Sequence, residues 1–137
     1  VTWARENSEL SGLADKPMRW IVEDARLFVE RELRRGRVYD GIIMDPPAFG
    51  HGPDNELWQI EEDVLKLIDD CMKLLKPSPL FFLINGYSAG YSSIAYGNNL
   101  LALKEKCGGT IETGELAIKE SSGRLLPAGI FARWSAK

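Results

Sequence analysis

The apolar positions of the chain switch between helical and strand-like spacing. From Leu57 to Leu75, apolar residues recur every three or four positions, which is typical of a helix laid on a sheet. Continuous apolar runs stand before this helix at residues 39–44 and after it at residues 80–84. Such runs are typical of strands buried on both faces. The order of strand, helix and strand predicts a parallel βαβ unit.

Three further elements are predicted before that unit. Helix-forming residues fill positions 2–10, and Gly12 ends this first helix. Residues 18–22 form a short β-rich run, with a strand expected at 19–22. Asp24 then opens a second helix, which Gly36 closes.

A helix and an antiparallel hairpin are predicted after the unit. The helix runs from near Ser92 to Lys106. Residues 110–118 alternate as a half-buried strand, and residues 129–134 return as its partner after a turn. The sequence therefore predicts one α/β domain, a mostly parallel sheet with helices on both faces and a C-terminal antiparallel hairpin.

Composition agrees with a single globular domain over residues 1–137, since 45% of the residues are hydrophobic and 27% are charged. A formal net charge of −3 gives no global basic field, so a nucleic-acid partner would need a local patch or another domain. The longest apolar run, residues 79–86, is too short to cross a bilayer, and no leader opens the chain. We therefore expect a cytoplasmic protein without a membrane partner.

The two cysteines do not form a metal-binding pattern. Cys71 and Cys107 are far apart, and His51 is the single histidine. A structural zinc site needs four such ligands at short spacings, so no metal site is expected. The cysteines are instead expected to be buried free thiols in a reducing compartment.

Chemistry is expected in the loops after the strands, because open α/β sheets bind ligands outside the carboxyl ends of their strands. The informative loop begins at Asp45, where Pro46 and Pro47 stiffen the backbone. The Pro46 carbonyl beside the Asp45 carboxylate gives two acceptors, which suit an NH2 group. Phe49 offers a face on which a planar base stacks. In the alternative interpretation, the prolines form a plain turn and Phe49 belongs to the core.

Two other strand ends carry polar residues. Asp24 either caps the helix that follows, a contribution of about 1 kcal/mol, or accepts a hydrogen bond from an adenine amino group. A carboxylate has two oxygens, so both roles are compatible. Asn85 lies before Gly86, a pair that is typical of a turn, or else its amide lines the same pocket.

Together these residues resemble those of bacterial class I methyltransferases related to the large-subunit ribosomal RNA methyltransferases. The resemblance covers essentially the whole chain. It is carried by five segments, which are Trp3–Asn7, Ser11–Leu13, Val22–Ala25, Tyr39–Gly50 and Leu126–Gly129.

The resemblance implies a Rossmann-like methyltransferase fold, S-adenosylmethionine as cofactor and RNA as the substrate of the full-length protein. It places Asp24 and Ala25 at the adenine of the cofactor and Asn85 in the wall of the pocket. The loop Asp45–Phe49 would face the cofactor methyl group and the substrate as the catalytic segment. Members that methylate cytosine at C5 need a nucleophilic cysteine, and residues 85–88 contain none. N-methylation is therefore favoured over C5 methylation.

The beginning of such a methyltransferase domain is missing from this sequence. No glycine-rich loop of the type G-x-G-x-x-G is present, and the first two strands would precede residues 2–10. We therefore expect a fragment, in keeping with Val1 in place of a methionine, that binds the cofactor weakly and is inactive alone. Its exposed sheet edge would pair with residues 19–22 or with a second chain, giving a homodimer.

Two other classes of protein remain open. One is a non-catalytic nucleic-acid or protein-binding module, in which the loop at Asp45 is only structural. The other is a nucleotide-binding oxidoreductase with a Rossmann sheet, which also needs a glycine fingerprint and explains that loop less well.

Overall fold

The computed structural model describes residues 1–52, 57–87 and 90–136. In order along the chain, the elements in these ranges are α1 (Thr2–Leu10), α2 (Ala25–Arg34), β1 (Gly41–Met44), β2 (Phe49–His51), β3 (Leu57–Gln59), α3 (Ile60–Lys73), β4 (Phe81–Gly86), α4 (Ser93–Asn99), α5 (Leu101–Cys107), β5 (Thr110–Lys119) and β6 (Leu125–Ser135).

Four strands form the main sheet, in the order β1-β4-β6-β5. β1 and β4 are parallel, with Gly41 opposite Phe81 and Met44 opposite Ile84. β6 runs antiparallel to both β4 and β5. The predicted α/β fold with its C-terminal antiparallel hairpin is therefore confirmed.

α3 connects β1 to β4 and supplies much of the core. Its buried residues keep the helical spacing seen in the sequence, and they are Ile60, Val64, Leu67, Ile68 and Cys71. The helix begins at Ile60 rather than at Leu57, because β3 pairs with β2 as a small antiparallel ribbon in which Gly50 lies opposite Trp58. The sequence did not predict this ribbon, since each of its strands has three residues.

The predicted helix from Ser92 to Lys106 is divided into α4 and α5 at Leu100. α4 begins next to Ser92, as predicted, and the Ser92 side chain caps it by accepting from the Ala95 N–H. The Leu100 N–H bonds to the carbonyl of Gly97, three residues back, which tightens the chain there. Gly97 and the two asparagines after it are poor helix formers. A Cβ on Gly97 would lie 2.6 Å from Thr113 Cγ2, so glycine also lets α4 pack closely on β5.

The strand predicted at residues 19–22 is wrong. These residues form no strand and are exposed, with Val22 at 76% of its full accessibility. Among the described residues, β1 pairs with β4 alone, so residues 19–22 do not pair with β1 either. A short β-rich run cannot form a strand without a neighbour that satisfies its backbone groups, and no described strand pairs with residues 19–22.

The free edge of β1 borders an apolar cavity of about 440 Å³. All four residues of β1 line this cavity, together with side chains from α2 and α3. Successive residues of a strand point to opposite faces, so a cavity that touches all four runs along the edge of the strand. Within the part of the chain that the structure describes, no helix is long and apolar enough to span a membrane.

A buried carboxylate ties the end of α2 to the start of β1. Glu32 is 4% exposed and accepts a hydrogen bond of 2.6 Å from the Tyr39 hydroxyl and one of 3.2 Å from Arg35 Nη1. The bond from Tyr39, followed by the bond from Arg35, lowers the pKa of the Glu32 carboxyl. A lowered pKa in the folded state means that ionised Glu32 stabilises the fold.

This stabilisation is present above the unfolded-state pKa of Glu32 and disappears as the pH falls through the folded-state value. We therefore expect Tyr39→Phe to lower the urea midpoint at pH 7 and to lower it less at acidic pH. Urea unfolding of the two proteins at both pH values measures the difference. An equal loss at both pH values would contradict the role given to Glu32.

Candidate functional site

A pair of polar side chains lies at the carboxyl ends of the two parallel strands. Because Met44 is in register with Ile84, Asp45 and Asn85 follow side by side. Asn85 Nδ2 donates to Asp45 Oδ1 at 2.8 Å. This contact leaves the second carboxylate oxygen of Asp45 and the amide oxygen of Asn85 as acceptors. The turn interpretation of Asn85 and Gly86 is wrong, since both residues belong to β4.

The loop after Asp45 is held by the ribbon and by the start of α3. Trp58 Nε1 donates to the Pro47 carbonyl at 2.6 Å, and the Ile60 N–H donates to the Ala48 carbonyl at 3.1 Å. Pro46 is buried, and the hydrogen bonds between described residues leave its carbonyl unused. The loop is thus fixed at two points, and no described backbone group bonds to the Pro46 carbonyl.

Phe49 opens the ribbon and faces solvent. Its side chain is 59% exposed and meets His51 edge to face, with the ring centroids 5.4 Å apart. The alternative interpretation that placed Phe49 in the core is therefore wrong. An exposed ring of this kind offers one face to a planar ligand.

Asp24 caps α2, as one of its two interpretations predicted. One carboxylate oxygen accepts from the Arg26 backbone N–H at 2.7 Å, and the other accepts from Arg26 Nη2 at 2.9 Å. The hydrogen bond from the Arg26 side chain is the main reason that the pKa of Asp24 is lowered. A contact between Asp24 and adenine stays a prediction, and it would have to share these oxygens with Arg26.

Most of the residues singled out from the sequence line one region of the structure. Ala25, Asp45, Pro46 and Pro47 all border the cavity along β1. Asn85 joins this group through its hydrogen bond to Asp45. Asp24 directly precedes Ala25 in the chain, and Phe49 is the last residue of the loop.

Sequence reasoning missed Arg26 and Trp58 as supporting residues of the site. The Arg26 guanidinium lies 5.6 Å from the centre of the Trp58 ring and forms a salt bridge of 3.2 Å with Asp63. These contacts join the start of α2 to the start of α3 across more than 30 positions of sequence. The sequence does show a tryptophan just before α3, but the helical spacing from Leu57 placed Trp58 inside the predicted helix.

The thiol that lines the cavity is not a nucleophile. Cys71 is buried, and burial raises the pKa of its thiol to about 12, so it stays protonated at neutral pH. Cys107 is half-buried, so the prediction of two buried thiols is correct for Cys71 alone.

Comparison with solved structures relates the whole chain to methyltransferases. A SAM-dependent methyltransferase from Agrobacterium tumefaciens superposes with a TM-score of 0.86 and 37% identity, over 99% of this chain and 45% of that one. The resemblance drawn from the sequence is therefore confirmed for the fold and for the class of protein.

Comparison with curated proteins leads to the same class. Ribosomal RNA large subunit methyltransferase K of Neisseria meningitidis is 31% identical over 86 residues, which are 62% of this chain and 24% of the relative. Methyltransferase K/L of Shewanella loihica is 32% identical over 78 residues, 56% of this chain and 10% of the relative. The chain thus spans about a quarter or less of these curated relatives. No family model matches it.

The hydrogen bond from Trp58 to the Pro47 carbonyl is expected to stabilise the loop. Trp58→Phe keeps an aromatic ring but removes the donor, so the free energy of unfolding should fall by at least about 1 kcal/mol. Urea denaturation measures this loss. Trp3→Phe is the control, because Trp3 is 76% exposed and its replacement should leave stability almost unchanged. Equal effects of the two substitutions would contradict the anchoring role.

Proposed function

We propose that this chain is the carboxyl-terminal part of a class I methyltransferase domain, which transfers a methyl group from S-adenosylmethionine to an exocyclic amine of RNA. The fold and class rest on the Agrobacterium structure and the ribosomal RNA methyltransferases described above. The observation that carries the proposed chemistry is the hydrogen-bonded pair of Asp45 and Asn85 at the carboxyl ends of β1 and β4.

The arrangement of acceptors fits an amine that must be methylated. The lone pair of an exocyclic amine is delocalised into its ring and must be freed and aimed in line at the methyl group. The remaining Asp45 oxygen, the Pro46 carbonyl and the Asn85 amide oxygen offer acceptors for the two amine hydrogens. Holding those hydrogens orients the nitrogen, and positioning of this kind supplies a large part of the rate. Phe49 provides the face on which the base stacks.

A nitrogen acceptor fits the site better than carbon 5 of cytosine. Methylation at C5 requires a thiolate that adds to the ring, and residues 85–88 contain no cysteine. Cys71, the thiol that lines the cavity, is kept protonated by burial. Asp45 and Asn85 are suited to bind amine hydrogens, and neither is a nucleophile for that addition.

The residues of the chain fit one end of the cofactor. S-adenosylmethionine supplies a methyl group already activated by the positive sulfur. The apolar cavity of about 440 Å³ beside Ala25 has the size and character of a pocket for a ring system such as adenine. Asp24, which precedes Ala25 in the chain, is a candidate partner of the adenine amino group. The sequence has no glycine-rich loop for the methionine part, so we expect weak binding by the chain alone.

RNA binding would rest mainly on the rest of the protein. The chain carries a formal net charge of −3, whereas binding to phosphates is driven by positive charge. We propose that this chain orients the target base while another segment holds the RNA backbone. An RNA substrate of this kind also agrees with a cytoplasmic location.

In the full-length protein, Asp45→Ala should lower the rate of methyl transfer to RNA by about 10²-fold or more, because one acceptor that orients the amine is lost. Transfer of labelled methyl groups from S-adenosylmethionine measures this rate. Asp40→Ala is the matched control, since Asp40 is exposed and pairs with Lys76. Unchanged transfer by Asp45→Ala would contradict the proposal, and absence of any transfer by the unaltered protein would favour a non-catalytic binding module.

For the isolated chain, we also propose pairing of two copies along the free edge of β1. Ile43 in the middle of this strand is 65% exposed, and the apolar cavity lies beside it. An open apolar strand edge favours pairing with another chain.

Ile43→Lys should abolish this association, because a lysine on an edge strand opposes edge-to-edge pairing. Sedimentation velocity at several concentrations measures the oligomeric state. Ile118→Lys is the control, since Ile118 is 60% exposed on β5 at the opposite edge of the sheet. If the unaltered chain is monomeric, the proposed pairing along β1 is wrong. It is also wrong if only Ile118→Lys abolishes the dimer.

A further inference from the structure

The ribbon of β2 and β3 has a buried inner face. Gly50 lies opposite Trp58, whose side chain is 8% exposed and lines the cavity along β1. A Cβ built on Gly50 would stand 3.9 Å from Pro47 Cγ, so the same face packs on the loop. The inner face of the ribbon is therefore occupied by contacts with the loop and the cavity.

The outer face of the ribbon carries the side chains of the alternate positions. Phe49 is in register with Gln59, and His51 is in register with Leu57. Because successive residues of a strand point to opposite faces, these four side chains share the outer face. Phe49 is 59% exposed, Leu57 is 46% exposed, and His51 is also exposed. This face thus presents two rings to solvent at the end of the loop that begins at Asp45.

The two exposed rings stand nearly perpendicular to each other. The centroids of Phe49 and His51 are 5.4 Å apart, and the angle between the ring planes is 85°. In an edge-to-face pair the edge of one ring meets one face of the other, so each ring keeps at least one face for another stacking partner. Two planar ligands on these faces would be nearly perpendicular and could not stack on each other.

This geometry fits two neighbouring nucleotides of a splayed RNA strand. In a stacked strand the bases are parallel and about 3.4 Å apart. Enzymes that act on a base take it out of that stack. Unstacked bases of single-stranded RNA are recognised by stacking on aromatic side chains, and histidine is one of them. Perpendicular rings suit a target base that has been turned away from its neighbour.

The pair of rings lies close to the candidate site along the chain. Phe49 follows Asp45 by four positions, so their Cα atoms are at most about 14 Å apart. The loop between them is held by the bond from Trp58 to the Pro47 carbonyl. His51 in turn contacts the ring of Phe49. A base that stacks on Phe49 with its amine at Asp45 therefore brings the next nucleotide of the strand toward His51.

We propose that the imidazole ring of His51 binds the nucleotide next to the target base by stacking on it. The inference rests on the proposed function, in which Phe49 takes the target base, and adds a second nucleotide subsite to it. Stacking accepts every base, but its strength varies between bases and gives modest preferences. Purines have the larger ring face, so His51 favours a purine on one side of the methylated nucleotide.

The test uses single-stranded RNA decamers of random sequence with the full-length protein and labelled S-adenosylmethionine. Mass spectrometry of the products identifies the nucleotides on either side of the methylated base. For the unaltered protein we expect purines to be enriched on one side. His51→Ala should remove this enrichment and lower kcat/KM by about five- to 100-fold, the value of one stacked base. The loss should lie mainly in KM, because the stack already forms in the bound ground state.

His51→Phe is the conservative variant, because it keeps a ring for stacking, and it should retain both the rate and the purine enrichment. Leu65→Ala is the control, since Leu65 is 59% exposed on α3. A rate that falls equally for all neighbouring nucleotides would show a structural role of His51 and overturn the inference. An unchanged rate in His51→Ala would also overturn it and leave the outer face to a partner other than RNA. Absence of purine enrichment with the unaltered protein would overturn it as well.

Comparison with Asp45→Ala separates this inference from the proposed function. If Asp45→Ala abolishes transfer while His51→Ala changes neither rate nor enrichment, the second subsite fails and the proposed function stands. Transfer to long folded RNA but not to the decamers would have the same meaning, because a splayed single strand should suffice. If the unaltered protein transfers no methyl group to any RNA, both fail.

Discussion

The parallel pairing of β1 with β4 is the constraint on which the candidate site depends. α3 makes this pairing possible, since its apolar face packs in the core while it carries the chain back to the start of the next strand. Parallel strands have their carboxyl ends at the same edge, and the register that puts Met44 beside Ile84 puts Asp45 beside Asn85. A shift of one residue would turn one of these two side chains to the other face of the sheet. The site is therefore a consequence of strand register.

Elements with strong local patterns could be predicted from the sequence. α3, the buried strands on either side of it and the closing hairpin all appear close to their expected positions. The strand expected at residues 19–22 does not form, because strand formation depends on a neighbour and not only on β-rich composition. The break at Leu100 and the ribbon that contains Trp58 depend on tertiary contacts, so spacing alone could not indicate them.

For the candidate site, the sequence indicated which residues to examine but not how they interact. The loop at Asp45 was recognisable because two prolines after an apolar strand are unusual. The hydrogen bond from Asn85 spans 40 positions and follows only from the register of the sheet. The same holds for Arg26, whose contacts reach α3. Long-range packing thus determines which of the candidate residues can act together.

The most direct test of the account is calorimetric titration of S-adenosylmethionine into the isolated chain and into the full-length protein. We propose that this chain supplies the part of the domain that binds the target amine, and its sequence contains no glycine-rich loop for the cofactor. We therefore expect no saturable heat for the isolated chain at millimolar cofactor and saturable binding for the full-length protein. Saturable binding by the isolated chain, or none by the full-length protein, would contradict it.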